Sequence, residues 1–127
     1  MYPTDCRYTR EHEWVRIEDD TCVLGITDFA QNQLGEVVFV ETPEVGHVFD
    51  AGDEIGTIES VKAVAEVYKP VAGEIVEVNE NLRDDPQSVN EAPHGDGWLV
   101  KIKYYSSSAF AELMDAAAYE EYTKEGK

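Results

Sequence analysis

Basic residues are scarce in this chain. Ten lysines and arginines face 27 aspartates and glutamates over 127 residues, a formal net charge of −17. Nucleic acids and anionic membrane surfaces attract basic chains, so the balance argues against both. It favours partners with basic docking surfaces. Long apolar runs are missing too, and none approaches the ~20 residues that a transmembrane helix needs. The opening MYPTDCRYTREHEW has no apolar signal core. It is also not the Arg- and Ser-rich, acid-poor type of a transit peptide, so a cytoplasmic protein is expected. Cysteine is limited to Cys6 and Cys22, without metal or redox spacing, and both are expected to be free. His12, His47 and His94 are far apart and lack metal-ligand spacing. There is no nucleophile elbow and no phosphate-cradling glycine loop. The chain does not read as an enzyme. It reads as something enzymes act on.

What is present fits a single domain spanning residues 1–127, with 43% hydrophobic residues to build its core. Met1 to Arg10 reads as a polar lead-in. His12 to Ile17 and Thr21 to Ile26 read as a hairpin turning at Asp19-Asp20. Glu13, Val15 and Ile17 share one face of the first strand, and His12, Trp14 and Arg16 share the other. A short helix follows, with Asp28 as its expected cap and Gly35 as its stop. Glu36 to Glu41 is strongly apolar and is expected to be a central strand. Val48-Phe49 is a short strand between turns. Pro43 to Val48 and Pro70 to Ile75 share a Pro-x-x-Gly-x-aliphatic spacing, an internal echo on either side of residue 62. Residues 79–97 read as a long loop with a helical turn near Pro86 to Asn90. Trp98 to Tyr104 alternates and closes the sheet. The Ser106 to Ser108 cluster is expected to cap a helix carrying Phe110, Leu113, Met114 and Ala117, with Asp115 capping a last helix through Tyr119 and Tyr122. Strands come first and helices last, so the fold class is mainly β with helical decoration. The β core covers about residues 8–104, and the helical segment about 106–123.

One stretch stands apart. Ile55 to Ser60 and Ala63 to Tyr68 read as two strands of a hairpin, with Val61 and Lys62 between them. Two-residue hairpin turns favour Asn-Gly, Asp-Gly or Gly-X, because their central residues must reach positive φ cheaply. β-branched Val61 is a poor choice for that geometry. The turn sequence is therefore not optimised for turning, and the beneficiary is Lys62. A hairpin tip holds a lysine out in solvent on a rigid base, where another enzyme can reach it. Small and apolar residues flank it: Ser60, Val61, Ala63 and Val64, with Glu59 and Glu66 further off.

Gly56-Thr57-Ile58-Glu59-Ser60-Val61-Lys62-Ala63 resembles the lipoylation site of the glycine cleavage H-protein family. The likeness extends to His12-Glu13-Trp14-Val15, Gly25-Ile26-Thr27-Asp28, Leu34 to Val40, Pro70-Val71-Ala72-Gly73-Glu74, Glu77-Val78-Asn79 and Gly97 to Lys103. It covers about Tyr8 to Tyr122. His94 stands where an aromatic residue is more usual, and Glu66 where many members carry Asp. The resemblance implies a barrel-sandwich hybrid of the biotinyl/lipoyl carrier type. It implies lipoate joined through an amide to Lys62, by octanoyl transfer and sulfur insertion or by ligation of free lipoate. Glu59, Ser60, Val61 and Ala63 would serve recognition by the attaching enzyme. The lipoyl arm would accept an aminomethyl group from glycine decarboxylated by the P-protein, pass it to the T-protein aminomethyltransferase, and be reoxidised by the L-protein dihydrolipoyl dehydrogenase. Glu13, His12 and Glu66 would line a shelter for the loaded arm, with Glu13 offering an acid to the cationic amine. Two other readings share this fold. An H-like relay would pass lipoyl groups to 2-oxo acid dehydrogenase carriers. A biotinyl carrier would favour Met on both sides of the lysine, where this chain has Val61 and Ala63.

Overall fold

The computed structural model describes residues 2–68 and 70–125. Among these residues, nine strands form two sheets. The larger takes β1 (Cys6–Tyr8), β2 (Glu13–Glu18), β3 (Thr21–Ile26), β5 (Val48–Phe49), β8 (Gly73–Val78) and β9 (Val100–Tyr104), in the spatial order β1-β2-β3-β9-β8-β5. The smaller takes β4 (Val37–Glu41), β6 (Glu54–Ser60) and β7 (Val64–Tyr68), in the order β4-β6-β7. All pairings are antiparallel. The main core lies between the sheets: Val15, Leu24, Ile58, Ile75, Val100 and Ile102 are all essentially closed to solvent. A second cluster gathers Tyr8, Trp14, Val23 and Tyr119 on the other side of the large sheet. This is the mainly β, two-sheet architecture expected. Among the described residues no helix is long and apolar enough to cross a membrane.

The β2–β3 hairpin pairs Glu18 with Thr21 across the Asp19-Asp20 turn, and Asp19 takes a φ of 57° there. Gly25 has a packing reason. A Cβ on it would lie 2.6 Å from Trp14 Cζ2, so the indole could not cover the strand. The two halves of the internal echo meet each other. Val48 pairs with Glu74, Gly46 N donates to Ile75 O at 2.7 Å, and Ile75 N donates to His47 O at 2.9 Å.

Several expectations need correction. The polar lead-in contains β1, whose Cys6 and Tyr8 point inward around exposed Arg7. The cap of α1 (Asp28–Leu34) is Thr27, whose hydroxyl accepts from Ala30 N; Asp28 instead receives the Gln31 amide. β4 is an edge strand of the small sheet, not a central one. β9 sits between β3 and β8 in the middle of the large sheet, rather than at its end. The long loop has the expected helical turn, α3 (Ser88–Glu91), but also an unexpected one before it, α2 (Asn81–Asp84). The helix expected after the serine cluster is a 3₁₀ turn (Ser107–Glu112) capped by Ser106, then a break, then α4 (Ala116–Lys124) capped by Asp115. The break exists because Met114 pairs its backbone with Tyr8, at 2.8 and 2.9 Å.

Candidate functional site

Lys62 stands at the tip between β6 and β7, exposed, with exposed Val61 and Ala63 beside it. The turn does not use the positive-φ geometry that the sequence lacks residues for: neither Val61 nor Lys62 has positive φ. Ser60 does the work instead. Its buried hydroxyl accepts from Lys62 N at 3.3 Å and Ala63 N at 3.0 Å, while Ser60 N donates to Ala63 O at 2.8 Å. A serine side chain that mimics a backbone turn lets a β-branched residue occupy the bend. Ser60 therefore acts as the frame of the tip, and exposed Glu59, Val61 and Ala63 are its surface.

The tip is docked, not free-standing. Val61 N donates to Glu36 O at 3.0 Å, just past the end of α1. Gly35, the C-cap, sits at φ 79° and ψ −155°, a region that side chains avoid. The Lys62 stem lies over it: a Cβ on Gly35 would be 3.2 Å from Lys62 Cε. Asn90 of α3 braces this corner. Its Oδ1 accepts from Val37 N at 2.8 Å, and its Nδ2 donates to Gly35 O at 2.8 Å and Gln31 Oε1 at 2.9 Å. Nothing in the sequence marked Asn90 or the fit of Gly35 to Lys62, because both depend on contacts far apart along the chain.

Beside Leu34, one residue before Gly35, a cleft of about 380 Å³ opens between α1 and the β6–β7 hairpin. Ile26, Phe29, Ile58, Ala65 and Val67 supply apolar wall, and Glu11, His12, Glu13 and Glu66 supply polar groups. Glu13, His12 and Glu66 are thus brought together. Glu13 is only 3% exposed. Thr9 Oγ1 donates to its Oε1 at 2.7 Å, and Tyr68 N donates to its Oε2 at 3.1 Å. Burial pushes its carboxyl up to about 7 against the pull of those two bonds. His12 is held at φ 68°, its Nδ1 2.7 Å from the Tyr119 hydroxyl and its ring 4.6 Å from Phe29. That same hydroxyl lies 2.6 Å from Thr27 Oγ1, so α4 reaches through the molecule to the cleft and to the cap of α1. Glu66 is exposed at the rim, on β7.

The family model for the glycine cleavage H-protein matches residues 6–126. The chain belongs to the glycine cleavage H-protein family. A glycine cleavage system H protein from Geobacillus sp. (strain WCH70) is 50% identical over 124 residues, with 98% of each chain covered. Another from Herpetosiphon aurantiacus is 52% identical over 120 residues, covering 94% of this chain and 92% of that one. The crystal structure of a glycine cleavage system H protein from Mycobacterium marinum superposes with a TM-score of 0.87 at 37% identity, with 98% of each chain covered.

H proteins are carriers, not enzymes. They bear lipoate covalently on a lysine and shuttle intermediates among the P-, T- and L-proteins of the glycine cleavage system. Family membership sets aside the biotinyl carrier. The residues of this chain fit a lipoyl group. The Gly35 surface leaves a shallow cradle that a Cβ would fill, against the stem of an exposed lysine. Among the described residues, no carboxylate pairs with the Lys62 ammonium. His94 lies against Trp14, with ring centroids 5.8 Å apart, and its Nε2 accepts from Asp28 N at 3.1 Å. The loop before Trp98 is thus packed against the start of α1.

Proposed function

We propose that Lys62 is the lysine that bears the lipoyl group, and that the chain works as the lipoyl shuttle of the glycine cleavage system in the cytoplasm. The observation that carries the assignment is the Lys62 stem lying over Gly35, one residue from the wall of the cleft. When bound, lipoate supplies a disulfide that takes up the aminomethyl group left by glycine decarboxylation. The chain's own residues present, hold and release. Ser60 fixes the tip through two backbone N–H groups, so the amine is offered on a rigid base. Glu59, Val61 and Ala63 form the surface that an attaching enzyme reads around Lys62. Acylation removes the lysine charge, which makes the stem easier to lay along apolar surface. Tethering then turns encounters with the cleft into local events at high effective concentration.

The cleft is the shelter for a cationic amine cargo. Its apolar wall excludes water, and Glu13, His12 and Glu66 give it polarity. Burial holds the Glu13 carboxyl up at about 7 and so favours its neutral form in the bare protein. An entering ammonium favours the charged carboxylate and is met by it. A charge-assisted hydrogen bond of that kind contributes roughly 1.5–3 kcal/mol. The test is acylation of Lys62→Arg, which keeps the charge but cannot form the amide. A purified ligase that activates free lipoate with ATP should add one lipoyl mass to the parent and none to the variant. A lipoyl increment on the Arg variant would remove Lys62 from the role.

A further inference from the structure

We propose that the outer face of the small sheet is the docking surface for the enzyme that acylates Lys62, and that Phe39 is its anchor; the proposal rests on Lys62 being the attachment site. The sheet has two faces with different uses. Strand alternation sends Ile58, Ala65 and Val67 toward the cleft side. Glu59 and Val64, paired directly across β6 and β7, point the other way.

Phe39 joins that outer row. The pairing of β4 with β6 is interrupted between Val37 and Phe39, after which Phe39 stands opposite Glu59. Regular alternation from buried Val37 would turn Phe39 inward. The irregularity instead leaves two consecutive apolar side chains outside, Val38 at 44% exposure and Phe39 at 52%, and returns Val40 to the core. Bulges re-aim side chains, and this one places a phenylalanine ring in water. Val64 at 60% and Val61 at 67% continue the apolar surface to the tip beside Lys62. Exposed Glu41 and Glu59 stand among and beside these residues. An apolar surface with an acidic rim next to a modification site fits a partner with an apolar socket and a basic rim.

The occupant follows from what each partner must reach. An acylating enzyme must bring its activated acyl group to the lysine nitrogen itself, so its body must lie against the hairpin. Enzymes that act on a loaded arm meet its far end, and the cleft for that end is on the opposite face. An enzyme seated on Phe39, Glu59 and Val64 leaves the cleft untouched.

The experiment measures acylation of the full chain by the same ATP-dependent ligase, followed by intact mass. Phe39→Glu should lower kcat/KM at least tenfold, mainly through KM, and Phe39→Leu should restore most of it. Ile17→Glu changes a comparably exposed apolar residue on β2 and should acylate like the parent. A thermal melt of each variant checks that folding survives. Acylation of Phe39→Glu within twofold of a folded parent would overturn the proposal. So would an unchanged acylation rate combined with slower aminomethyl loading of lipoylated Phe39→Glu by glycine decarboxylase, which would assign the face to that enzyme. A parent not acylated at Lys62 would overturn the attachment site instead.

Discussion

The backbone N–H of Tyr68 donates to Glu13 Oε2 at 3.1 Å, joining the edge strand of the small sheet to the large one. The bond crosses from β7 to the start of β2 and holds the mouth of the cleft. It also places a carboxylate where burial works against its charge. Glu13 is therefore a joint of the fold as well as a polar group of the shelter.

A pH dependence follows. Burial raises the Glu13 carboxyl to about 7 in the fold from an ordinary 4.5. Its stabilising contribution is complete below pH 4.5 and is lost as pH rises through about 7, an effect of about 3 kcal/mol. Glu13→Gln keeps an acceptor for Tyr68 N and carries no charge. The stability difference between variant and parent, read from urea unfolding, should be small near pH 4.5 and should grow in the variant's favour toward pH 8. A difference independent of pH would show that Glu13 is not held this way.

His94 should act in the opposite sense. Its Nε2 accepts from Asp28 N, and burial lowers its pKa despite the carboxylates of Asp28 and Asp5. The folded state then prefers the neutral ring. Its contribution is complete above the unfolded value near 6.5 and is lost as pH falls below it. His94→Phe, which carries an aromatic ring that does not titrate, should lose less stability than the parent between pH 6.5 and 5. Parallel curves would contradict this.

Tyr119 joins Thr27 and His12 through one buried hydroxyl. Tyr119→Phe should cost about 1–3 kcal/mol, because the buried Thr27 hydroxyl keeps only its bond from Ala30 N and loses the one to Tyr119. Thr27→Ala should cost ~1 kcal/mol for the lost helix cap, plus the lost bond. The double variant should lose less than the two single losses combined, since both break the same link. Strict additivity in thermal or urea melts would mean the hydroxyls act separately.

The parts of the molecule legible in the sequence were those set locally. β3 was read with its observed bounds, because Thr21 to Ile26 follows a two-residue turn that Asp19 can make at positive φ. The β6–β7 hairpin was read within a residue at each end. Glu13 was grouped with Val15 and Ile17 on one face of β2, but both faces read as mixed and its burial was not legible; it is buried. Ile17 on the same face is exposed, although Cys22 opposite it is buried. β1 was hidden because a three-residue strand with Arg7 at its centre carries almost no period. The outward turn of Phe39 was hidden because a bulge reverses the alternation that a reader counts on. Asn90 was hidden because its three partners lie more than fifty residues away along the chain. Lys69, expected at the far end of the hairpin from Lys62, lies outside the described residues.

The most direct measurement is peptide mapping of the protein purified from the cells that make it. Digestion and tandem mass spectrometry should place one lipoyl amide on Lys62 and none on the other lysines. A fully unmodified Lys62 in cells that are degrading glycine, or a lipoyl group found on another lysine, would contradict the account.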